Sequence, residues 1–170
     1  MSNFKKAKDQ AEEILRENYI TNPPVPIVEL AKNYGYDVVE IDLDPNIAGF
    51  VNMEDRVIFV NNTDSETRKA FTIAHELGHI KLHTSELEKN PDIGILYRRP
   101  LGKKDDDERE QEANCFATSL LVPQSMYEKS VEQYKSILTE ENKVELLSRL
   151  FGVSSDVIKY RLHDFSLENT

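Results

Sequence analysis

The run His75-Glu76-Leu77-Gly78-His79 constrains this chain more than any other stretch of it. Two histidines four residues apart face the same way only on a helix, about 40° round its axis and roughly 6 Å along it. In that geometry both rings reach one ion, and zinc takes histidine nitrogens at about 2.0–2.1 Å. Glu76, between the two, reaches a water on such an ion and can take its proton. The pattern predicts a rigid helix, a divalent metal on one face of it, and hydrolysis of the kind a zinc peptidase performs. The rest of the fold has to build and aim that site.

The neighbouring residues supply the helix. Thr63 and Glu66 have capping-box spacing, and Phe71, Ala74, Gly78 and Leu82 recur as one stripe, so both histidines fall mid-helix. Two histidines leave a zinc ion short of a third protein ligand. The longer motif with a third histidine is excluded, because Leu82 and Ser85 stand where its glycine and histidine would fall. His83 lies about 12 Å along the axis from His75, too far to share the ion, and is expected behind the site or at the helix end. The remaining source is a second helix over residues 108–121, where Glu110, Ala113, Ala117 and Leu121 mark one face. Glu110 lies on that small-residue face, with Glu112 as the alternative. Asn114, four beyond Glu110, is placed to hydrogen-bond the other nitrogen of a ligand histidine.

Elsewhere the chain alternates helices and strands, which predicts an α+β fold. Phe4, Ala7, Ala11, Ile14 and Leu15 give an amphipathic helix near residues 4–19, stopped by Pro23, Pro24 and Pro26. A short helix follows from Pro26 to Tyr34, with Gly35 closing it. Val39, Ile41 and Leu43 alternate with acids across one strand, and residues 48–53 and 56–60 read as a hairpin turning at Glu54-Asp55. Residues 84–107 read as loop except for a strand within 93–97, and the acids Asp105 to Glu108 favour the start of the next helix. Pro123 ends that helix, Ser125 can cap another, and Gly152 and Ser154 or Ser155 separate two final helices.

A formal net charge of −10 over 170 residues argues against wholesale electrostatic binding to DNA or to an anionic membrane. The single Cys115 excludes an intramolecular disulfide. No apolar run approaches membrane-spanning length, and Met1 to Gln10 lack a signal-peptide core, so a cytoplasmic location is expected.

Two blocks together carry a family resemblance. Phe71-Thr72-Ile73-Ala74-His75-Glu76-Leu77-Gly78-His79-Ile80-Lys81-Leu82-His83, followed by Glu110-Gln111-Glu112-Ala113-Asn114-Cys115-Phe116-Ala117 and Leu120-Leu121-Val122-Pro123, resembles the ImmA/IrrE family of metallo-endopeptidases. The resemblance spans most of the chain. It implies a zincin-like fold in which a small twisted β-sheet packs on the motif helix. The wider gluzincin pattern, Glu-x-x-Ala followed by Asp or Asn, is also similar, and maps the third ligand onto Glu110 and its partner onto Asn114. The implied centre is His75, His79 and Glu110 around Zn²⁺, with Mn²⁺ or Fe²⁺ as other candidates, Glu76 as general base and Asn114 behind a ligand.

What the resemblance implies for function is a zinc endopeptidase that cleaves a helix-turn-helix repressor on a separate chain and so derepresses its genes. The alternative is a non-catalytic anti-repressor that keeps the metal-bound fold and works by docking. Tyr97, Arg98, Arg99 and His163 are candidates by type for stabilising an oxyanion, and none is fixed by spacing. The strand near Arg56 to Val60 is a candidate for strand addition by an extended substrate. The division expected is a metallopeptidase domain over 1–124 and a helical subdomain over 125–170. The tail from Leu147 to Leu162 resembles a helix-turn-helix. Only Lys159 and Arg161 lie on its would-be recognition helix, beside Asp156 and Asp164, so packing or partner docking is expected rather than direct DNA binding.

Overall fold

The first helix, α1 (Phe4–Glu17), begins where the Asn3 side chain accepts a hydrogen bond from the Lys6 N–H, and buries Ala7, Ala11, Ile14 and Leu15. The computed structural model that shows this describes residues 3–90, 95–97 and 107–168. The prolines stop the chain, and Pro26 then stands at the N-cap of α2 (Ile27–Asn33). Proline suits a helix start, where no N–H partner is lost.

A small mixed sheet follows, built from β1 (Asp37–Ile41), β2 (Ile47–Asn52), β3 (Val57–Asn61) and, after an excursion, β4 (Ile95–Tyr97), in the order β1-β3-β2-β4. β2 and β3 form the expected antiparallel hairpin, while β1 runs parallel to β3. β3 therefore lies inside the sheet with a partner on each side, from Val57 to Val60. This corrects the strand-addition expectation: the β3 backbone groups are already spent on its neighbours. The sheet's edge strands are β1 and β4.

Helix α3 (Glu66–Leu82) carries the motif and is buried continuously from Phe71 to Ile80. Its N-cap is Ser65, whose hydroxyl accepts from the Arg68 N–H, rather than Thr63. The Thr63 hydroxyl instead donates to Asn61 Oδ1 at 2.8 Å, inside a turn centred on the fully buried Asn61. β2 lies directly on α3. A Cβ on Gly49 would fall 2.4 Å from the Phe59 carbonyl oxygen and 2.5 Å from Thr72 Cγ2. Sheet and helix meet at a position that only glycine fits.

A short helix absent from the sequence reading, α4 (Thr84–Lys89), buries Leu87 beyond the motif. Asp105 and Asp106 of the acidic run lie outside the described residues, as do Ile93, Arg98 and Arg99. Asp107 caps α5 (Glu108–Leu121), accepting from the Arg109 N–H, and this helix has the bounds its pattern predicts. α3 packs most extensively on α5, which also carries α1 on its flank. Gly78 sets the first approach: a Cβ there would sit 3.0 Å from Phe116 Cδ1 and 3.2 Å from Ala113 Cα and O. Small residues on both helices let the two backbones come close.

Pro123, not Ser125, is the N-cap of α6 (Gln124–Gln133). α7 (Lys143–Phe151) then ends at Gly152, whose φ of +65° is left-handed, and α8 (Ser155–Glu168) begins after Ser154, whose hydroxyl accepts from the Val157 N–H. These last helices join the main core. Leu147, Phe151, Val153, Val157 and Ile158 belong to the same buried cluster as Ala7, Leu30, Ile58 and Leu77. Arg161 is buried rather than presented: its Nε donates to the Val122 carbonyl at 3.1 Å, another nitrogen pairs with Asp164, and the guanidinium lies 4.2 Å over the Phe165 ring. Among the described residues no helix is long and apolar enough to cross a membrane.

Candidate metal centre

Where α3 crosses α5, three side chains from the two helices converge. His75 Nε2 lies 3.3 Å from Glu110 Oε2, His79 Nε2 lies 3.0 Å from Glu110 Oε1, and the two ring nitrogens are 2.9 Å apart. One ligand atom from each of His75, His79 and Glu110 falls within 4.8 Å of the others. Both histidines are fully buried, and the Glu110 side chain is 18% exposed. The spacing of four supplies the two rings, and the tight crossing at Gly78 and Ala113 brings Glu110 to them.

The outer nitrogens of both rings are committed. His75 Nδ1 lies 2.9 Å from Asn114 Oδ1, an acceptor, so Nδ1 carries the proton and Nε2 turns a lone pair inward. His79 Nδ1 lies 3.1 Å from His83 Nδ1, and His83 Nε2 lies 2.9 Å from Glu112 Oε2. Glu112, the alternative ligand in the sequence reading, is thus paired with His83. Asn114 sits where its spacing from Glu110 places it. His83 stands behind His79 as its place on the helix suggests; what sequence reasoning missed is its pairing with Glu112, since that meeting depends on how two distant helices cross.

Charge and burial fit the same picture. Burial pulls His79 down to about 4, although the neighbouring Glu110 carboxylate works the other way, so the ring is neutral near pH 7 and able to ligate. Burial would raise the Glu110 carboxyl, but the close approach of the His75 and His79 rings outweighs it and holds the group well below the usual carboxylate range. Glu112 behaves alike: burial alone would raise it, while the Asn3 backbone N–H and His83 hold it low.

Glu76 is the exception. It is fully buried, and neither carboxylate oxygen has a hydrogen-bond partner. Burial, and then the negative charge of Glu110, push its carboxyl well above the usual range. A lone buried carboxylate is costly unless a charge or donor meets it. A divalent cation among His75, His79 and Glu110 would offset the negative charge of Glu110 and favour ionised Glu76. Two inward lone pairs, one ionised carboxylate and an orphaned buried acid are a donor set that fits a cation. Of the oxyanion candidates, His163 is exposed on α8.

A family model, Peptidase_M78 (IrrE N-terminal-like domain), matches residues 31–163, which include both motif helices. The chain belongs to this family. Its members include metallopeptidases, and the convergence of His75, His79 and Glu110 agrees with that chemistry. This family member is also 31% identical, over 124 residues, to "Uncharacterized immunity region protein 2" of Bacillus phage phi105, across 72% of this chain and 70% of the phage protein. Among solved structures it is similar to a Mycobacterium tuberculosis transcriptional regulator, with a TM-score of 0.65 and 22% identity, which shows a shared fold. That match covers 92% of this chain and 46% of the regulator, so the chain spans less than half the regulator's length.

Proposed function

We propose that this chain is a metal-dependent endopeptidase that cleaves a regulatory protein, a helix-turn-helix repressor encoded as a separate chain, and so derepresses its genes. The observation that carries the reading is Glu76: a buried carboxylate with no partner, one residue from a ring that faces Glu110. A site that only needed a metal for stability would have no use for it. His75, His79 and Glu110 would hold the ion, zinc by the nitrogen-rich donor set, with Asn114 fixing the His75 ring. The ion would supply Lewis acidity to a peptide carbonyl and to a water molecule.

Glu76 then takes a proton from the attacking water as the C–O bond forms. It returns that proton to the amine nitrogen as the C–N bond breaks. Burial suits this exchange, because it moves the carboxyl toward neutrality, where accepting and giving up a proton are both accessible. The choice of target is supported by family context, a relative named for a phage immunity region.

Residues 125–170 are read as a helical subdomain that packs or docks rather than binding DNA. Of the two cations on its last helix, Arg161 is buried and Lys159 stands beside Asp156. A cytoplasmic site of action is the remaining part of the proposal.

The test is to incubate the zinc-loaded protein with helix-turn-helix repressors encoded beside its gene and to look for fragments. Glu76→Gln should lower cleavage by about 10²–10⁴-fold with the metal still bound. Undiminished cleavage by that variant would sink the mechanism. Equal relief of repression by both proteins, without fragments, would instead support the docking alternative.

A further inference from the structure

A hydrogen-bonded chain runs outward from the site through side chains that do not ligate. His83 is 5% exposed, and its ring stands between His79 and Glu112 with both nitrogens in contact, Nδ1 to His79 at 3.1 Å and Nε2 to Glu112 at 2.9 Å. The other oxygen of Glu112 accepts the backbone N–H of Asn3, the residue that caps α1. Each link has a fixed direction. For His79 to turn a lone pair inward at Nε2, its proton must sit on Nδ1 and be donated outward. His83 can accept it only with Nδ1 bare, so its own proton sits on Nε2 and is donated to Glu112.

We propose that His83 and Glu112 are positioning residues that hold His79 in its ligating tautomer and orientation, as Asn114 does for His75. The proposal rests on the reading of His75, His79 and Glu110 as a metal site. The two ligand histidines are then held by unlike means. His75 leans on a neutral amide from α5, whereas His79 leans on the imidazole that caps the end of its own helix, backed by a carboxylate from α5. Helix geometry explains the difference: His83 is one turn beyond His79 on the same face. The link to Asn3 extends the support to the start of α1, so the N-terminal helix clamps the far end of the relay.

Zinc affinity of the metal-free protein, measured by competition with a chromophoric chelator, tests this without reference to catalysis. His83→Leu and Glu112→Ala should each weaken zinc binding by about 10–100-fold. His83→Gln should restore most of it, because an amide can accept from His79 and donate to Glu112. Glu112 is partly exposed whereas His83 is buried, so its variant keeps the test open if His83→Leu fails to fold. Nitrogen-15 NMR of the imidazoles should show His83 protonated at Nε2 in the zinc-loaded protein. Unchanged affinity in Glu112→Ala and in a folded His83→Leu, or a His83 protonated at Nδ1 alone, would overturn the positioning role. A wild type that binds no zinc would overturn the metal site itself, and the positioning role with it.

Discussion

Burial sets the behaviour of the site residues before any metal arrives. His79 is lowered to about 4 in the folded, metal-free protein, against about 6.5 in an unfolded chain. Between those values the unfolded chain binds the proton first, so this contribution to stability is complete above pH 6.5 and is lost as pH falls toward 4. It is on the order of 3 kcal/mol. The melting temperature of the metal-free protein should therefore drop across that window, and His79→Leu should flatten the drop; an unchanged slope would contradict it. Glu76 acts in the opposite sense. Its raised carboxyl makes it a burden above the usual carboxylate range, where an unfolded chain would ionise freely. Glu76→Leu should raise the metal-free melting temperature at pH 7, a gain of about 1–3 kcal/mol, while removing the proposed base. A lower melting temperature would mean that the carboxylate has a partner after all.

Among elements, the crossing of α3 and α5 is what turns two sequence motifs into one site. Gly78→Val should cost about 1–3 kcal/mol, since the added methyls meet the backbone of Ala113 and the ring of Phe116. It should also weaken zinc binding, because Glu110 rides on the helix that is pushed away. A variant with wild-type melting and affinity would show the crossing to be slack. Most helices were legible because their apolar positions repeat at the helical period; α5 was read from Glu108 to Leu121 as observed, whereas α1 ends at Glu17, short of the residue 19 its pattern suggests. For Glu110 the helical period left Glu112 as an alternative, and the family resemblance, not the spacing, pointed to Glu110 with Asn114 four residues beyond. Strand order was not legible: Val57 to Val60 look alike as edge or interior, and only pairing with the distant Asp37–Ile41 decides. Ser65 displaced Thr63 as a cap because the Thr63 hydroxyl serves Asn61. α4 escaped notice because six residues with one buried leucine carry no periodic signal.

In the whole molecule, the buried cluster runs without a break from α1 to α8, and Lys8 of the first helix pairs with Asp164 of the last at 3.0 Å. Thermal unfolding should then show one transition by both far-ultraviolet dichroism and calorimetry; two resolved transitions would mean that the C-terminal helices unfold by themselves. Such a scaffold suits the proposed site, because the candidate ligands sit on two packed helices rather than on loops. The central claim is that His75, His79 and Glu110 bind a metal in this frame. X-ray absorption at the zinc edge, on protein loaded with one equivalent, tests it most directly. Two imidazole nitrogens should appear, with oxygen from Glu110 and water completing the shell, at about 2.0–2.2 Å. A shell without imidazole, or one with a third imidazole drawn from His83, would contradict it.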